Sequence, residues 1–343
     1  MKKTITIGSK KVGDEHPCFI IAEACDNHLG NLDVAKEMAL QAKLFGADAV
    51  KFQHHLPDEE MVKEEMVMSD NFDMHLYDFL KKHALTIGQH KELINYCNSI
   101  GIIYLCTPFS TKAALELNEL GVPAFKIGSG EMTDLPSLKV IAALGKPMIV
   151  STGMSTLEEI DETVKELTKI NKDIIIMNCT SEYPPNYADM NLGVIDELKK
   201  RYDLIIGHSD HTPDIYTSIA AVAKGAKLIE KHFILNKLQK GPDQSVSIEP
   251  FEFHNLVSAI RKVELALGSN KKVNKLEQPI RSWAFRSVVT LKEISKGNKI
   301  NKDDVWTKRP GTGIPAKEME KVIGKIAKVD LKKNHLVKWD ELK

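Results

Sequence analysis

A chain of 343 residues, 43% hydrophobic and 27% charged, has the make-up of an ordinary globular protein, with length for one large domain and a smaller one. Its 47 basic and 47 acidic residues cancel, and no long basic run breaks the balance, so neither nucleic acid nor an anionic membrane is expected as a partner and a small molecule is. Cys18, Cys25, Cys97, Cys106 and Cys179 are odd in number and form no CxxC pair, so neither a disulfide framework nor a structural zinc site is indicated and they read as buried small hydrophobes.

The chain opens on MKKTITIGSKKVGDEHP, which has no apolar core of a signal sequence. No apolar run of about 18 residues follows, so a cytoplasmic protein is expected. From Phe19 to Gly268, short β-branched apolar runs alternate with amphipathic stretches of helical period. The runs are FIIAE (19–23), DAVKFQ (48–53), IIYLC (102–106), AFKIG (124–128), PMIVS (147–151), IIIMN (174–178), LIIGHS (204–209) and LIEKHF (228–233). Helical stretches such as LDVAKEMALQAKLFGA and TLEEIDETVKELTKI stand between them and end near Gly or Asn, as helix C-termini prefer. Eight strand–helix units predict a closed (β/α)8 TIM barrel over residues 1–268. The long second connection, residues 54–90, predicts a helix near LYDFLKKHA and an excursion rich in Met, Asp and Glu, of the kind that covers active sites. Residues 269–282 are polar and aperiodic and read as a linker; residues 283–343 alternate short strands with Gly, Asn and Asp turns and predict a small β-rich domain.

In a barrel of this type, functional groups come from the C-terminal ends of the strands and the loops that follow. The eight ends carry Glu23 with Asn27 and His28; Lys51 and Gln53; Thr107; Lys126 with Ser129 and Glu131; Ser151; Thr180 with Tyr183; Ser209, Asp210 and His211; and Glu230, Lys231 and His232. Polar groups at every end converge on one mouth. Lys51 and Lys126 lie among apolar strand positions, and alternation can turn such residues inward, where a lysine needs an anion. With the hydroxyls of Thr107, Ser129, Ser151 and Ser209 beside Gly-containing turns, they describe a phosphate or carboxylate site. A Schiff-base lysine is the competing reading, because a neighbouring cation lowers an amine pKa. His211 and His232 follow adjacent strands near Asp210, Glu230 and Asp243 and suit a divalent ion with open coordination positions; His28, His54, His55 and His208 are further imidazoles of the same region.

The segments EACDNHLGN, VKFQ, LCTPFS, FKIGSGEM, KPMIVSTGMS, CTSEYP, IGHSDHT, EKHF, GPD and KRPGTGI, in this order, resemble the phosphoenolpyruvate-dependent sialic acid synthases (N-acetylneuraminate synthases) and the related legionaminic and pseudaminic acid synthases. The tail resembles their antifreeze-like (SAF, β-clip) domain. The resemblance implies condensation of phosphoenolpyruvate with an N-acylated amino-sugar aldehyde such as N-acetylmannosamine, with release of phosphate. It places phosphoenolpyruvate on Lys51, Thr107, Lys126, Ser129, Ser151 and Ser209, a divalent metal (manganese, with magnesium or cobalt as alternatives) on His211 and His232, and sugar hydroxyls on Gln53, Asn71, Tyr183 and Asp243. Glu23, Glu131 and Glu230 supply carboxylates at the reacting atoms, with Glu23 first choice as general base and Glu131 next. Family members pair as domain-swapped homodimers in which Arg309 of KRPG reaches the partner's barrel, and Phe285 lines the same pocket. Ser181 in CTSEYP, Gln53-His54-His55, Asp26 and His208 depart from the sialic-acid-forming branch. They leave a 2,4-diacetamido-trideoxyhexose, the legionaminic or pseudaminic precursor, as the alternative acceptor, and a Schiff-base pyruvate aldolase as a distant one.

Overall fold

The structure, a computed structural model, describes residues 3–65, 68 and 74–343. Two compact units divide it, Met1–Leu267 and Gly268–Lys343. The first is a closed parallel barrel of eight strands: β3 (Phe19–Glu23), β4 (Ala49–His54), β5 (Ile103–Pro108), β6 (Phe125–Ile127), β7 (Met148–Ser151), β8 (Ile174–Cys179), β9 (Ile205–Asp210) and β10 (Leu228–His232), with β10 closing on β3. Each expected strand is present to within a residue or two at its ends. Ahead of them stands a hairpin absent from the sequence reading, β1 (Thr4–Ile7) paired antiparallel with β2 (Lys10–Gly13). Its TITI and KKVG runs are too short for a periodicity argument.

Strand alternation explains where everything else goes. One face of each strand points outward into the large core shared with the helices, for instance Ile20 and Ala22 of β3, Val50 and Phe52 of β4, and Met148 and Val150 of β7. The alternate positions fill the barrel: Phe19, Ile21, Ala49, Leu105, Ala124, Ile149, Ile175, Met177, Ile205 and Leu228 pack together with Ile5, Ile7 and Val12 of the hairpin. The hairpin is therefore an apolar plug at the N-terminal ends of the strands. Two residues further along each strand, the same inward face changes from apolar to polar, with Glu23, Lys51, Thr107, Lys126, Ser151, Cys179, Ser209 and Glu230 in place of aliphatic groups.

Helices follow the strands, among them α1 (Leu32–Leu44), α2 (Pro57–Glu60), α3 (Leu76–His83), α4 (Ile87–Ile100), α5 (Thr111–Glu119), α6 (Leu135–Ala143), α7 (Leu157–Ile170), α8 (Val194–Arg201), α9 (Tyr216–Ala223) and α10 (Pro250–Ala266). Their ends are chemically marked: Asn31 caps α1, and Thr86 and Thr156 form capping boxes with Gln89 and Glu159. Helices α2 and α3 lie in the expected insert.

In the second unit, β11 (Ser287–Thr290) pairs antiparallel with β12 (Val305–Lys308) around a small core containing Val288, Ile300, Val305 and Val337. The stretch read as a linker carries a helix, α11 (Glu277–Ala284), and belongs to this unit. The Gly311 N–H donates to Ser282 O, and the Arg309 guanidinium bonds Ala284 O and lies 5.2 Å over the Trp283 ring. Among the described residues, no helix is long and apolar enough to cross a membrane.

Lys231 and Asp210 face outward and are fully buried, 3.4 Å apart. The Lys231 ammonium also bonds Thr212 O, while Thr217 and Ser218 donate to Asp210. Asp210 is thereby held ionised, its burial outweighed by Lys231 and these donors. Lys231→Met leaves a buried carboxylate without its counter-charge, and urea unfolding is expected to show a loss of about 3–5 kcal/mol. The double variant Lys231→Met/Asp210→Asn should recover part of that loss; equal midpoints for wild type and the single variant would contradict the pairing.

Candidate active site

At the polar end of the barrel interior lies a cavity of about 290 Å³. Parallel register sets Glu23 beside both Lys51 and His232, and Ser209 beside Glu230. Lys51 Nζ sits 2.5 Å from Glu23 Oε2, 3.6 Å from Glu230 Oε2 and 2.9 Å from Thr107 Oγ1. Lys126 Nζ sits 3.2 Å from Glu230 Oε1, which also accepts from Ser209 Oγ at 3.0 Å. All four charged groups are almost fully buried.

Two cations and two carboxylates thus neutralise one another, but unequally. Burial lifts the Glu23 carboxyl above the usual carboxylate range despite Lys51, whereas at Glu230 burial is outweighed by Lys126 and Lys51, which hold it below that range. Burial opposes the charge on Lys51, and Glu23 and Glu230 more than restore it, so its pKa is raised.

Hydroxyl groups complete one wall. Ser129 Oγ accepts the Gly153 N–H at 3.0 Å, and a side chain at Gly153 would run into the Ser129 and Ser181 hydroxyls. Among the described residues, Ser151 Oγ and Glu131 Oε2 are buried without a hydrogen-bond partner. Burial raises the Glu131 pKa. Gln53 Nε2 donates to Glu23 Oε1 at 3.2 Å.

The two histidines stand opposite. His211 Nδ1 lies 2.7 Å from Thr180 O, which can only accept, so Nδ1 carries a proton, and Nε2 lies 3.1 Å from the Tyr183 hydroxyl. The His211 and His232 rings are 5.1 Å apart. Burial and the neighbouring His211 keep His232 well below the ordinary imidazole pKa and therefore neutral, and its Nδ1 makes no hydrogen bond, 3.5 Å from Asp243 Oδ2. His232, Asp243 and Cys25 offer donor atoms within 4.8 Å of one another. An orphaned neutral imidazole beside a carboxylate, a thiol and a second imidazole fits a first-row divalent ion.

The expected residues Glu23, Lys51, Gln53, Thr107, Lys126, Ser129, Glu131, Ser151, Ser181, Tyr183, Ser209, His211, Glu230 and His232 line this cavity together. Asp243 lines an adjoining cavity of about 490 Å³ that shares Gln53, Phe109, Glu131 and Tyr183 with the first. Phe285 and Arg309 belong to the second unit, where both are exposed. Asn71 lies outside the described residues. Asn27 and His28 do not reach the first cavity: Asn27 braces Phe233 O and Ser247 Oγ, and His28 packs against Phe52. Lys231 and Asp210, at strand ends by sequence, point to the outside.

Three contributors were not expected. Cys25 joins the His232 donor group. Cys179 lines the cavity with Sγ 3.9 Å from His211 Nδ1, and His211 outweighs burial to bring its thiol down to about 7. Phe109 walls both cavities. Cys179 ends β8 on the inward face, so the strand-end rule could have found it; the cysteine count directed attention elsewhere.

Comparison with known proteins agrees with this geometry. Residues 38–272 match the NeuB family and residues 285–343 the SAF domain. The chain is 40% identical to the N,N'-diacetyllegionaminic acid synthase of Campylobacter jejuni, over 93% of this chain and 98% of that one. It is 37% identical to the N-acetylneuraminate-9-phosphate synthase of Homo sapiens, over 92% and 89%. A crystal structure of N-acetylneuraminic acid (sialic acid) synthetase from Leptospira borgpetersenii superposes with a TM-score of 0.75 at 32% identity, covering 82% of this chain and 95% of that one. With a barrel and a tail each matched in turn, the chain belongs to the NeuB family.

Proposed function

We propose that this protein is a nonulosonic acid synthase that condenses phosphoenolpyruvate with an N-acylated amino-sugar aldehyde and releases phosphate. The observation that carries the reading is the buried Lys51–Glu23–Glu230–Lys126 cluster, ringed by the hydroxyls of Thr107, Ser129, Ser151 and Ser209 at the closed end of the cavity. Relatives named as synthases of sialic, legionaminic or pseudaminic acids support the same class.

In this reading Lys126 and Lys51 neutralise the phosphate and carboxylate of phosphoenolpyruvate, and the Ser129 and Ser151 hydroxyls orient it. Carbon three of the enol attacks the aldehyde carbon, water adds at carbon two, and the carbon–oxygen bond to phosphate breaks to leave the keto acid. Glu23 takes the proton of that water: its carboxylate lines the cavity beside Lys51, and burial leaves it basic enough to serve. His211 and His232, with Asp243 and Cys25, would hold a divalent ion, manganese first, which when bound supplies Lewis-acid polarisation of the aldehyde oxygen. A Schiff-base aldolase fits less well, since Lys51 is held protonated by two carboxylates and Lys126 is paired with Glu230.

The second unit is assigned a role in trans. In a domain-swapped homodimer, Arg309 and Phe285 of one chain would cap the acceptor site of the other. Support comes from the exposure of both side chains and from the SAF match over residues 285–343.

Incubation with phosphoenolpyruvate, manganese and a panel of N-acylated amino-sugar aldehydes should release inorganic phosphate and yield a product with the mass of a nonulosonate. Lys126→Met should lower kcat/KM by at least about 100-fold, the effect of removing a buried charge partner from an anion. Absence of acceptor-dependent phosphate release would refute the synthase reading. The kcat/KM profile of the wild type should rise with pH through an ionisation displaced above the ordinary glutamate value of about 4.3, because the base must be ionised and its pKa is raised. Glu23→Gln should remove that limb along with most of the activity; survival of the limb would pass the base role to Glu131. Mixing Arg309→Ala chains with His232→Ala chains should restore activity under conditions where subunits exchange, because a swapped heterodimer contains one intact site. Exchange without recovery would assign Arg309 to its own barrel.

A further inference from the structure

The two adjoining cavities differ in charge: in the first, Lys51 and Lys126 offset Glu23 and Glu230. The second is walled by Asp26, Glu60, Glu131 and Asp243 and, among the described residues, by no lysine or arginine. Its single cationic group is His55. That imidazole is clamped: Nε2 lies 3.2 Å from Asp26 Oδ2 and 3.0 Å from Gln53 Oε1, and Nδ1 lies 3.1 Å from both oxygens of Glu60. The ring is stacked on Phe109 at 4.2 Å, and the three charged side chains are 4–6% exposed. Burial opposes the charge on His55, but Asp26 and Glu60 outweigh it and push its pKa up to about 9. His28, 3.6 Å from the other Asp26 oxygen, is kept below its ordinary pKa by burial and adds no charge at neutral pH. The triad therefore carries one net negative charge, and its only cation is already shared between two carboxylates.

If the synthase reading holds, three carbons of the product come from phosphoenolpyruvate and carbon six of a hexosamine becomes carbon nine. In that reading the aldehyde end meets the lysine cavity, and the adjoining cavity, which shares Gln53, Phe109, Glu131 and Tyr183 with it, is the space left for carbon six. Relatives differ at that carbon: the human enzyme is named for a 9-phosphate product and the Campylobacter jejuni legionaminic acid enzyme is not.

We propose that Asp26, His55 and Glu60 are specificity-determining residues that exclude an acceptor phosphorylated on its terminal carbon, so that the sugar condensed in this site is uncharged at that end. This rests on the synthase reading above. A phosphate monoester carries close to two negative charges at neutral pH. Beside the triad it would shed water and face the carboxylates of Asp26 and Glu60, with His55 already shared between them, a like-charge juxtaposition that rejects a ligand more effectively than a missing contact does.

The test uses N-acetylmannosaminitol and its 6-phosphate, which lack the aldehyde and so bind without reacting. Calorimetry in manganese should show the uncharged alditol binding at least roughly thirtyfold more tightly. Glu60→Gln and Asp26→Asn should each shrink that ratio about tenfold, with melting by circular dichroism to verify folding; if Asp26→Asn does not fold, Glu60→Gln carries the comparison. Equal or tighter binding of the phosphate, an unchanged ratio in the folded variants, or binding of neither alditol overturns the proposal. Phosphate release with N-acetylmannosamine 6-phosphate at a rate comparable to the sugar itself would also overturn it while leaving the synthase reading intact. Phosphate release that ignores every acceptor would sink the synthase reading, and the alditol ratio would still judge the pocket.

Discussion

A lysine turned into the interior of a closed parallel sheet must find a counter-charge, and most of this site follows from that constraint. Lys51 and Lys126 are placed by the same two-residue alternation that fills the barrel with aliphatic side chains one layer below. Glu23 meets Lys51 because neighbouring strands are in register at that height, and Glu230 reaches both lysines across the barrel interior. The four groups offset one another's charge, yet the two carboxylates respond in opposite directions: Glu230, shared by both lysines, is held below the usual carboxylate range, and Glu23, where burial outweighs Lys51, is lifted above it. An incoming anion can take over the lysines, and a basic Glu23 remains to move a proton. In the proposed synthase, a resting ion cluster would in this way also be the catalytic arrangement.

Structure around the cluster keeps its geometry. The β1–β2 hairpin seals the lower end with Ile5, Ile7 and Val12, so the inward polar layer opens in one direction only. Behind β9 and β10 the buried Lys231–Asp210 pair ties the turn at Thr212 to the barrel wall, which fixes the backbone from which His211 projects. His211 in turn is held by the Thr180 carbonyl and the Tyr183 hydroxyl. Ring orientation is thus set before any ligand arrives.

Much of this was legible from residues alone, and the reason is periodicity. Eight apolar runs at regular spacing identify the barrel, and polar residues at the end of each run identify its mouth; Lys51, Lys126, Glu23 and Glu230 could be named on that basis. What periodicity does not carry is direction at a turn or contact between loops. Lys231 and His232 are adjacent in sequence and face opposite sides of the same strand. Asp26, His55 and Glu60 come from the loops after β3 and β4 and the short helix α2, so their meeting depends on loop paths that no local pattern encodes. Cys25 and Asp243 lie far apart in the chain and converge on His232 for the same reason. The β1–β2 hairpin was missed because four-residue strands leave too few positions for alternation, and α11 because its charged, exposed sequence reads like a linker.

The central claim is that the buried lysines receive the phosphate and carboxylate of phosphoenolpyruvate in place of their resident carboxylates. A crystal structure of the protein soaked with phosphoenolpyruvate tests this directly. The account expects the ligand in the barrel mouth, with phosphate or carboxylate oxygens at hydrogen-bonding distance, about 2.7–3.2 Å, from Lys51 and Lys126 and from the Ser129 or Ser151 hydroxyl. Ligand density outside the barrel mouth, with the Lys51–Glu23 and Lys126–Glu230 pairs undisturbed, would contradict it.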